Sequence, residues 1–235
     1  MDKHTKLVER LKQFDTPSIT NVLATYPDDK ELCMGLYNPW ECDWYTDETI
    51  KCMFPELGRM AGYAVTAVFT THDPNFCRLS FADILRTVDQ APKPVILVIK
   101  QKMPKYIKKK SGLAGGNMTT ALQSIGCIGC ISDGPSRDID EIRPMKFQYM
   151  LTGTTAGHGP YTVSAVNVPV NVGGMTVSAG DIIHMDENGA VCFPETLLEQ
   201  ILEKAAKLQI KEKNNMEAMR KAENVEDIIK ILQGY

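Results

Sequence analysis

The stretch from Gly112 to Arg143, GLAGGNMTTALQSIGCIGCISDGPSRDIDEIR, gathers residue types able to grip a small charged ligand. Its opening run, Gly112-Leu113-Ala114-Gly115-Gly116-Asn117, leads into a helical pattern. Glycines there let the backbone approach a ligand closely, and the free N–H groups of a first helical turn attract an anion. No GK[ST] follows and the spacing is not GxGxxG, so neither nucleotide-phosphate motif is present. After the apolar run that ends at Ile131, the turn Asp133-Gly134-Pro135-Ser136 brings Asp133, Arg137 and Asp138 to the carboxyl end of a strand, where α/β folds bind ligands. A guanidinium can hold a small carboxylate through two bonds, and an adjacent carboxylate can ligate a hard divalent cation. Being consecutive, Arg137 and Asp138 should diverge and serve two ligands. The same residues also suit a structural turn, with Asp138 capping a helix that runs to Arg143.

Other reactive residue types form weaker patterns. Cys127 and Cys130 make a CxxC, yet they lie in the apolar run Gly126-Cys127-Ile128-Gly129-Cys130-Ile131, and no second CxxC or histidine pair completes a zinc set. Small packing residues in a reducing compartment account for them. The basic run Lys100 to Lys110, with Tyr106 inside it, reads as a solvated loop or as a funnel that concentrates anions above the glycine cradle. His158, in Thr154-Thr155-Ala156-Gly157-His158-Gly159-Pro160, is a turn histidine or a proton carrier near the site. His72 and His184 have no carboxylate or serine at a telling spacing, and no Gly-x-Ser-x-Gly elbow supports a serine hydrolase. Asp181 and Asp186 fit strand-end turns.

These residues need elements to hold them. Leu7, Val8 and Leu11 recur at helical spacing, and Thr16-Pro17-Ser18 opens a second helix through about Leu23. Residues 26–58 are irregular, an insertion or a cover over the site. Gly62 to Thr70 and Val95 to Ile99 read as strands, with a helix from Ser80 to Val88 between them. A glycine-rich entry followed by a helix over Ser111 to Ile125, the strand Cys127 to Ile131 and a short helix from Asp138 to Arg143 continue the alternation, which argues for parallel pairing. Tyr161 to Val177 alternates around a Gly173-Gly174 turn, and two short strands follow, Ile182 to His184 and Ala190 to Phe193. Glu195 to Leu232 is charged and helical. One α/β domain, 1–235, is expected: N-terminal helices over 1–25, the irregular stretch over 26–58, a core over 59–194 and C-terminal helices over 195–235.

Composition narrows the function. With 235 residues, 43% hydrophobic and 23% charged, the chain can bury a sizeable core without disulfides or a structural metal. A net charge of -3 offers no whole-chain attraction to nucleic acid or an anionic membrane. No apolar run approaches the roughly 20 residues of a membrane helix. The opening MDKHTKLVERLKQ lacks the apolar centre of a secretory signal, so a cytoplasmic location is expected.

GGNMTTALQSIGCIGCISDGPSRDIDEIR resembles the RraA-like family, which holds regulators of ribonuclease E activity and 4-hydroxy-4-methyl-2-oxoglutarate aldolases. VNVPVNVGGMTVSAGDIIHMDENGAVCFP is similar to that family's second signature, and the likeness spans roughly residues 12–220. The resemblance implies a layered, swivelling β/β/α-type sandwich with a helical C-terminal tail. It further implies trimers or trimer-based hexamers with sites between subunits. In its aldolase branch a divalent metal, Mg²⁺ or Mn²⁺, and an arginine hold pyruvate. Carried onto this chain, Arg137 would grip the 2-oxo acid, Asp138 would ligate the metal, and the amides of Gly115, Gly116, Asn117 and Met118 would complete the anion cradle. Glu212, or another tail glutamate, would be the acidic group lent by a neighbouring subunit. Gly116 stands where the aldolases carry an acid. The implied activity is a metal-dependent carbon–carbon lyase on a small 2-oxo acid: decarboxylation of oxaloacetate, favoured because it needs no base, or retro-aldol cleavage. A non-catalytic RraA-like regulatory protein is the other reading the family offers.

Overall fold

A computed structural model describes residues 3–25, 29–36, 41–75 and 79–233. Helix α1 (Lys3–Leu11) is followed by α2 (Thr16–Thr20), with Pro17 in its first turn, where the missing N–H goes unneeded. Asp15 caps α2 by accepting from the Ser18 N–H at 2.8 Å. The helix predicted through Leu23 ends at Thr20, and Asn21–Thr25 continues as a π-turn. Strand β1 (Lys51–Cys52), strand β2 (Met60–Thr70) and helix α3 (Phe81–Gln90) come next. Ser80 and Asp83 close a reciprocal capping box at the start of α3. Strand β3 (Val95–Lys102), the short helix α4 (Lys105–Lys108), helix α5 (Gly116–Ser124), strand β4 (Cys127–Ser132), helix α6 (Ile139–Ile142) and strand β5 (Gln148–Leu151) complete the alternating region.

The second half supplies β6 (Thr162–Val166), β7 (Val170–Val172), β8 (Met175–Val177), β9 (Ile182–Asp186) and β10 (Gly189–Phe193). Helices α7 (Leu198–Lys221) and α8 (Val225–Gln233) form the tail. Among the described residues, one sheet runs in the order β1-β5-β4-β3-β2-β9-β10. Strands β2, β3, β4 and β5 pair in parallel. On its far side β2 pairs antiparallel with β9 along Met60–Tyr63 and with β6 along Ala67–Thr70. The β7–β8 hairpin turns at Gly173-Gly174, both at positive φ, as the glycine pair requires.

Layering follows from which strand faces are apolar. In β3, Val95, Leu97 and Ile99 face the layer of α3 and α5, while Ile96 and Val98 face the β7–β8 hairpin. Both faces are covered, which explains an unbroken apolar run instead of alternation. A third cluster joins α1, α2, Phe193 and the first half of α7 through Leu198, Ile201, Leu202, Ala205 and Leu208. The chain is a mixed α/β fold of sheet, hairpin and helices with a long helical tail. Cys127 and Cys130 are buried packing residues, and no disulfide joins any two of the six described cysteines.

Candidate functional site

Three loops leave the carboxyl ends of β3, β4 and β5 and are stitched edge to edge. The Gly112 N–H donates to the Gly157 carbonyl at 2.9 Å, Leu113 to Pro135 at 3.2 Å, Ser136 to Gly153 at 3.1 Å and Thr155 to Ser136 at 2.9 Å. This platform carries the start of α5 and α6, and between them lies a cavity of about 370 Å³. Gly115, Gly116, Asn117, Met118, Arg137 and Asp138 line it, the set expected from the sequence, together with Glu141, His158 and Tyr161.

Asp138 sits at the N-cap position of α6 in the left-handed region, φ 59°. Its side chain does not cap that helix. It reaches across instead and accepts the Gly116 N–H at 2.9 Å through Oδ2. Of the four residues expected to form the anion cradle, Gly116 therefore has its amide already engaged. Arg137 and Asp138 do not diverge as their adjacency suggested: Arg137 Nε lies 3.5 Å from Asp138 Oδ2, and a Cβ at Gly115 would collide with the Asp138 carboxylate and crowd Arg137 Nε. The chain stays close there because position 115 is bare. Arg137 Nε is buried and has no hydrogen-bond partner among the described residues, which suits a bound anion. Asp138 Oδ2 takes both the Gly116 and the Arg137 contacts.

A metal fits this donor set in one way. Among the described residues no three His, Cys, Asp or Glu side chains gather to hold an ion. Two carboxylates, Asp138 and Glu141, line the cavity, and such a pair suits a hard dication that keeps several waters, as Mg²⁺ does.

His158 Nδ1–H donates to the Gly159 carbonyl at 2.9 Å, its Nε2 pairs with Tyr161 Oη at 2.9 Å, and its ring stacks on Tyr161 with centroids 4.5 Å apart. Burial raises the Tyr161 phenol above its ordinary value, and the Arg137 charge opposes that rise. Glu141 and Tyr161 escaped sequence reasoning. Each had a signal: Glu141 stands one helical turn after Asp138, and Tyr161 three residues after His158.

Other expected residues lie elsewhere. Asp133 is nearly buried and ion-paired with Lys100 Nζ at 2.7 Å and Lys108 Nζ at 2.6 Å, and it accepts the Gln101 N–H at 2.8 Å. It lines no part of the cavity, and two lysines of the basic run are spent on it. Glu212, on α7, lines a separate groove with Asp29, Leu208 and Met216, so within one protomer it does not meet Arg137. Residues 29–36 and 41–58 contribute nothing to the cavity wall; 26–28 and 37–40 lie outside the described residues. His184 is a core residue bonded to Thr16 Oγ1 at 2.9 Å, beside Asp186, which accepts the Thr16 N–H at 2.8 Å.

The family model described as RraA-like, Aldolase/RraA, matches residues 41–192. The chain belongs to the RraA-like family. An uncharacterized protein of Methanocaldococcus jannaschii is 26% identical over 183 residues, 77% of this chain and 83% of that protein. A Halalkalibacterium halodurans protein named "Putative 4-hydroxy-4-methyl-2-oxoglutarate aldolase" is 32% identical over 98 residues, 41% of this chain and 47% of its own length. Among solved structures, an uncharacterized Pseudomonas syringae pv. tomato protein superposes with a TM-score of 0.74 at 20% identity, covering 98% of this chain and 94% of that one. A Streptomyces coelicolor protein described as an unusual member of the RNase ES inhibitor RraA family gives 0.68 at 19% identity, covering 92% and 97%. These two likenesses establish the RraA-like fold. No described helix is long and apolar enough to cross a membrane.

Proposed function

We propose that this RraA-like chain is a divalent-metal-dependent lyase that releases pyruvate from a small 2-oxo acid by breaking a carbon–carbon bond. The observation that carries the reading is the buried Arg137 Nε, with no hydrogen-bond partner among the described residues, 3.5 Å from Asp138 Oδ2 in a cavity at the strand ends. Arg137 would hold the substrate's carboxylate, and the first-turn N–H groups of Asn117 and Met118 would face the same anion. Asp138 and Glu141 would hold Mg²⁺ or Mn²⁺, which when bound polarises the 2-oxo group. In oxaloacetate the C3–C4 bond would break with its electron pair passing to the enolate of pyruvate and CO₂ leaving, and a solvent proton would then add at C3. The guanidinium helps by remaining fixed where the enolate's charge develops.

The aldolase names among the relatives support this class of reaction. Assembly as a trimer or hexamer, with Glu212 of one subunit reaching the cavity of the next, belongs to the same proposal. The test mixes purified protein with Mn²⁺ and oxaloacetate and follows pyruvate by coupled NADH oxidation. Arg137→Ala and Asp138→Ala should each lower kcat/KM at least about 100-fold, the scale of removing one positioned charged donor. Activity unchanged in both variants would refute the site, and no activity in the parent would favour a non-catalytic binding protein.

A further inference from the structure

One side of the cavity is built by the heads of α5 and α6, and another by His158 and Tyr161, on the segment that leads into β6. That segment is tied down at several points. The Gly157 carbonyl accepts the Gly112 N–H at 2.9 Å, and a Cβ at Gly112 would meet both that carbonyl and Arg137 Cβ. Gly159 has φ 73°, and a Cβ there would collide with Ser111, so glycine alone turns the chain at that point. Phe69 packs edge-on against Tyr161, with ring centroids 5.2 Å apart.

The hydrogen bonds of this pair have a direction. A carbonyl only accepts, so the contact with Gly159 fixes a proton on His158 Nδ1. In the neutral ring Nε2 is then bare, and the Tyr161 hydroxyl donates to it across 2.9 Å. In the charged ring Nε2 carries a proton as well and donates to the Tyr161 oxygen. The phenol hydrogen is thereby released. Its other partner is Met118 Sδ at 3.5 Å, a weak acceptor at the head of α5 that an anion surpasses. The phenol itself stays protonated, because burial raises it and the Arg137 charge only opposes that rise.

We infer that Tyr161 is an anion-contacting residue of this cavity, and that His158 positions its hydrogen by taking up a proton when the anion binds. The inference rests on the anion grip of Arg137 in the lyase reading and goes beyond it.

An anion lying between the Arg137 guanidinium and the imidazole favours the charged imidazole, and by linkage the charged imidazole tightens the anion to the same extent. Between about pH 5 and 8 histidine is the side chain whose charge changes. The other charged groups around it are Arg137, Asp138 and Glu141 across the cavity, and Lys110, whose carbonyl a Cβ at Gly157 would crowd. Among the described residues His158 is bonded to none of these; its ring nitrogens go to Gly159 and Tyr161.

The experiment titrates oxalate into the parent chain at fixed Mg²⁺ by calorimetry. Repeating it at pH 7.5 in PIPES, HEPES and Tris, whose ionisation heats differ, reads the protons taken up with the anion. Uptake on the order of 0.3 proton per oxalate is expected, so Kd rises about fourfold from pH 6.5 to pH 8.5. His158→Gln keeps a side-chain donor beside Tyr161 but cannot titrate there. Its uptake should fall to near zero and its Kd should no longer vary over that range. Tyr161→Phe keeps the ring and removes the hydroxyl, and it should weaken oxalate about fourfold at pH 6.5 and little at pH 8.5, where the hydrogen points to His158. A purely structural role would weaken both pH values alike. Oxalate bound without proton uptake, or uptake that persists in His158→Gln, overturns the inference and spares the lyase reading. Equal weakening by Tyr161→Phe at the two pH values does the same. No oxalate binding by the parent overturns both.

Discussion

Replacing Asp138 separates what its backbone needs from what its carboxylate does. The residue stands at φ 59°, a region where an ordinary side chain costs about 1–2 kcal/mol but Asn and Asp are better tolerated and Gly is free. Its Oδ2 accepts the Gly116 N–H at 2.9 Å at the head of α5. A hydrogen bond to a charged acceptor contributes roughly 1.5–3 kcal/mol, and a carboxylate at a helix N-terminus about 0.3–1 kcal/mol more. The side chain is 31% exposed, so the low end of both ranges applies. Asp138→Asn keeps an acceptor and the backbone preference and should lose about 1 kcal/mol. Asp138→Gly loses the acceptor but relieves the backbone, for about 2 kcal/mol. Asp138→Ala loses both and should cost about 3 kcal/mol. For a chain of this size each kcal/mol moves Tm by roughly 2–4 °C, so the order Asn, Gly, Ala should appear as three resolved steps in a thermal melt, with alanine lowest by roughly 6–12 °C. Divalent-ion stabilisation should vanish in all three, because none keeps the charge. An alanine variant as stable as the asparagine variant would refute the bond across to Gly116. Retained Mn²⁺ stabilisation would refute the cation assignment.

Burial holds His184 down to about 4. Between that value and the ordinary histidine range near 6.5 the unfolded chain binds a proton that the folded chain refuses, so stability is intact above about pH 6.5 and falls as pH drops toward 4, by up to about 3 kcal/mol; Tm measured from pH 7 to pH 5 should show a slope that His184→Gln removes. The Cys127 thiol is pushed up to about 12 by burial, whereas Cys42 is exposed. At pH 8 iodoacetamide should therefore modify Cys42 and leave Cys127 and Cys130 untouched, and rapid labelling of Cys127 in mass spectra would contradict the packed strand.

The parallel core was legible because its signals are local. A run such as Val95 to Ile99 is apolar throughout only if both faces are covered, and the strand, helix, strand order leaves few ways to cover them. Strand β5 was missed: Gln148–Leu151 is short, and its assignment depends on Gln148, whose side chain bonds the Phe54 backbone from the far end of the sequence, donating to its carbonyl at 2.9 Å. Capping by Asp138 was misjudged for a related reason. The local pattern offers an aspartate ahead of a helix, but the Gly116 N–H competes for the carboxylate across a gap of 22 residues. Sequence spacing ranks the candidates within a segment and is silent about a competitor brought in by the sheet.

Backbone strain sits at two points on this rim, and it is offset where it occurs. Ala114 has φ 51°, immediately before the glycine pair, and Asp138 has φ 59° opposite it. An alanine in that conformation costs on the order of 1–2 kcal/mol. Its carbonyl collects three hydroxyls in return: Thr119 Oγ1 at 2.9 Å, Ser136 Oγ at a long 3.5 Å, and a close contact from the buried Tyr149. At roughly 0.5–1.5 kcal/mol each, two good bonds balance the strain. Turning Ala114 this way aims its oxygen into the core, and the chain continues directly into Gly115 and Gly116, whose bare α-carbons admit Arg137, Asp138 and Glu141. The cavity's polar wall is therefore set by a core tyrosine on β5 as much as by the residues that line it, which is why the glycines could be read from the sequence and their use could not.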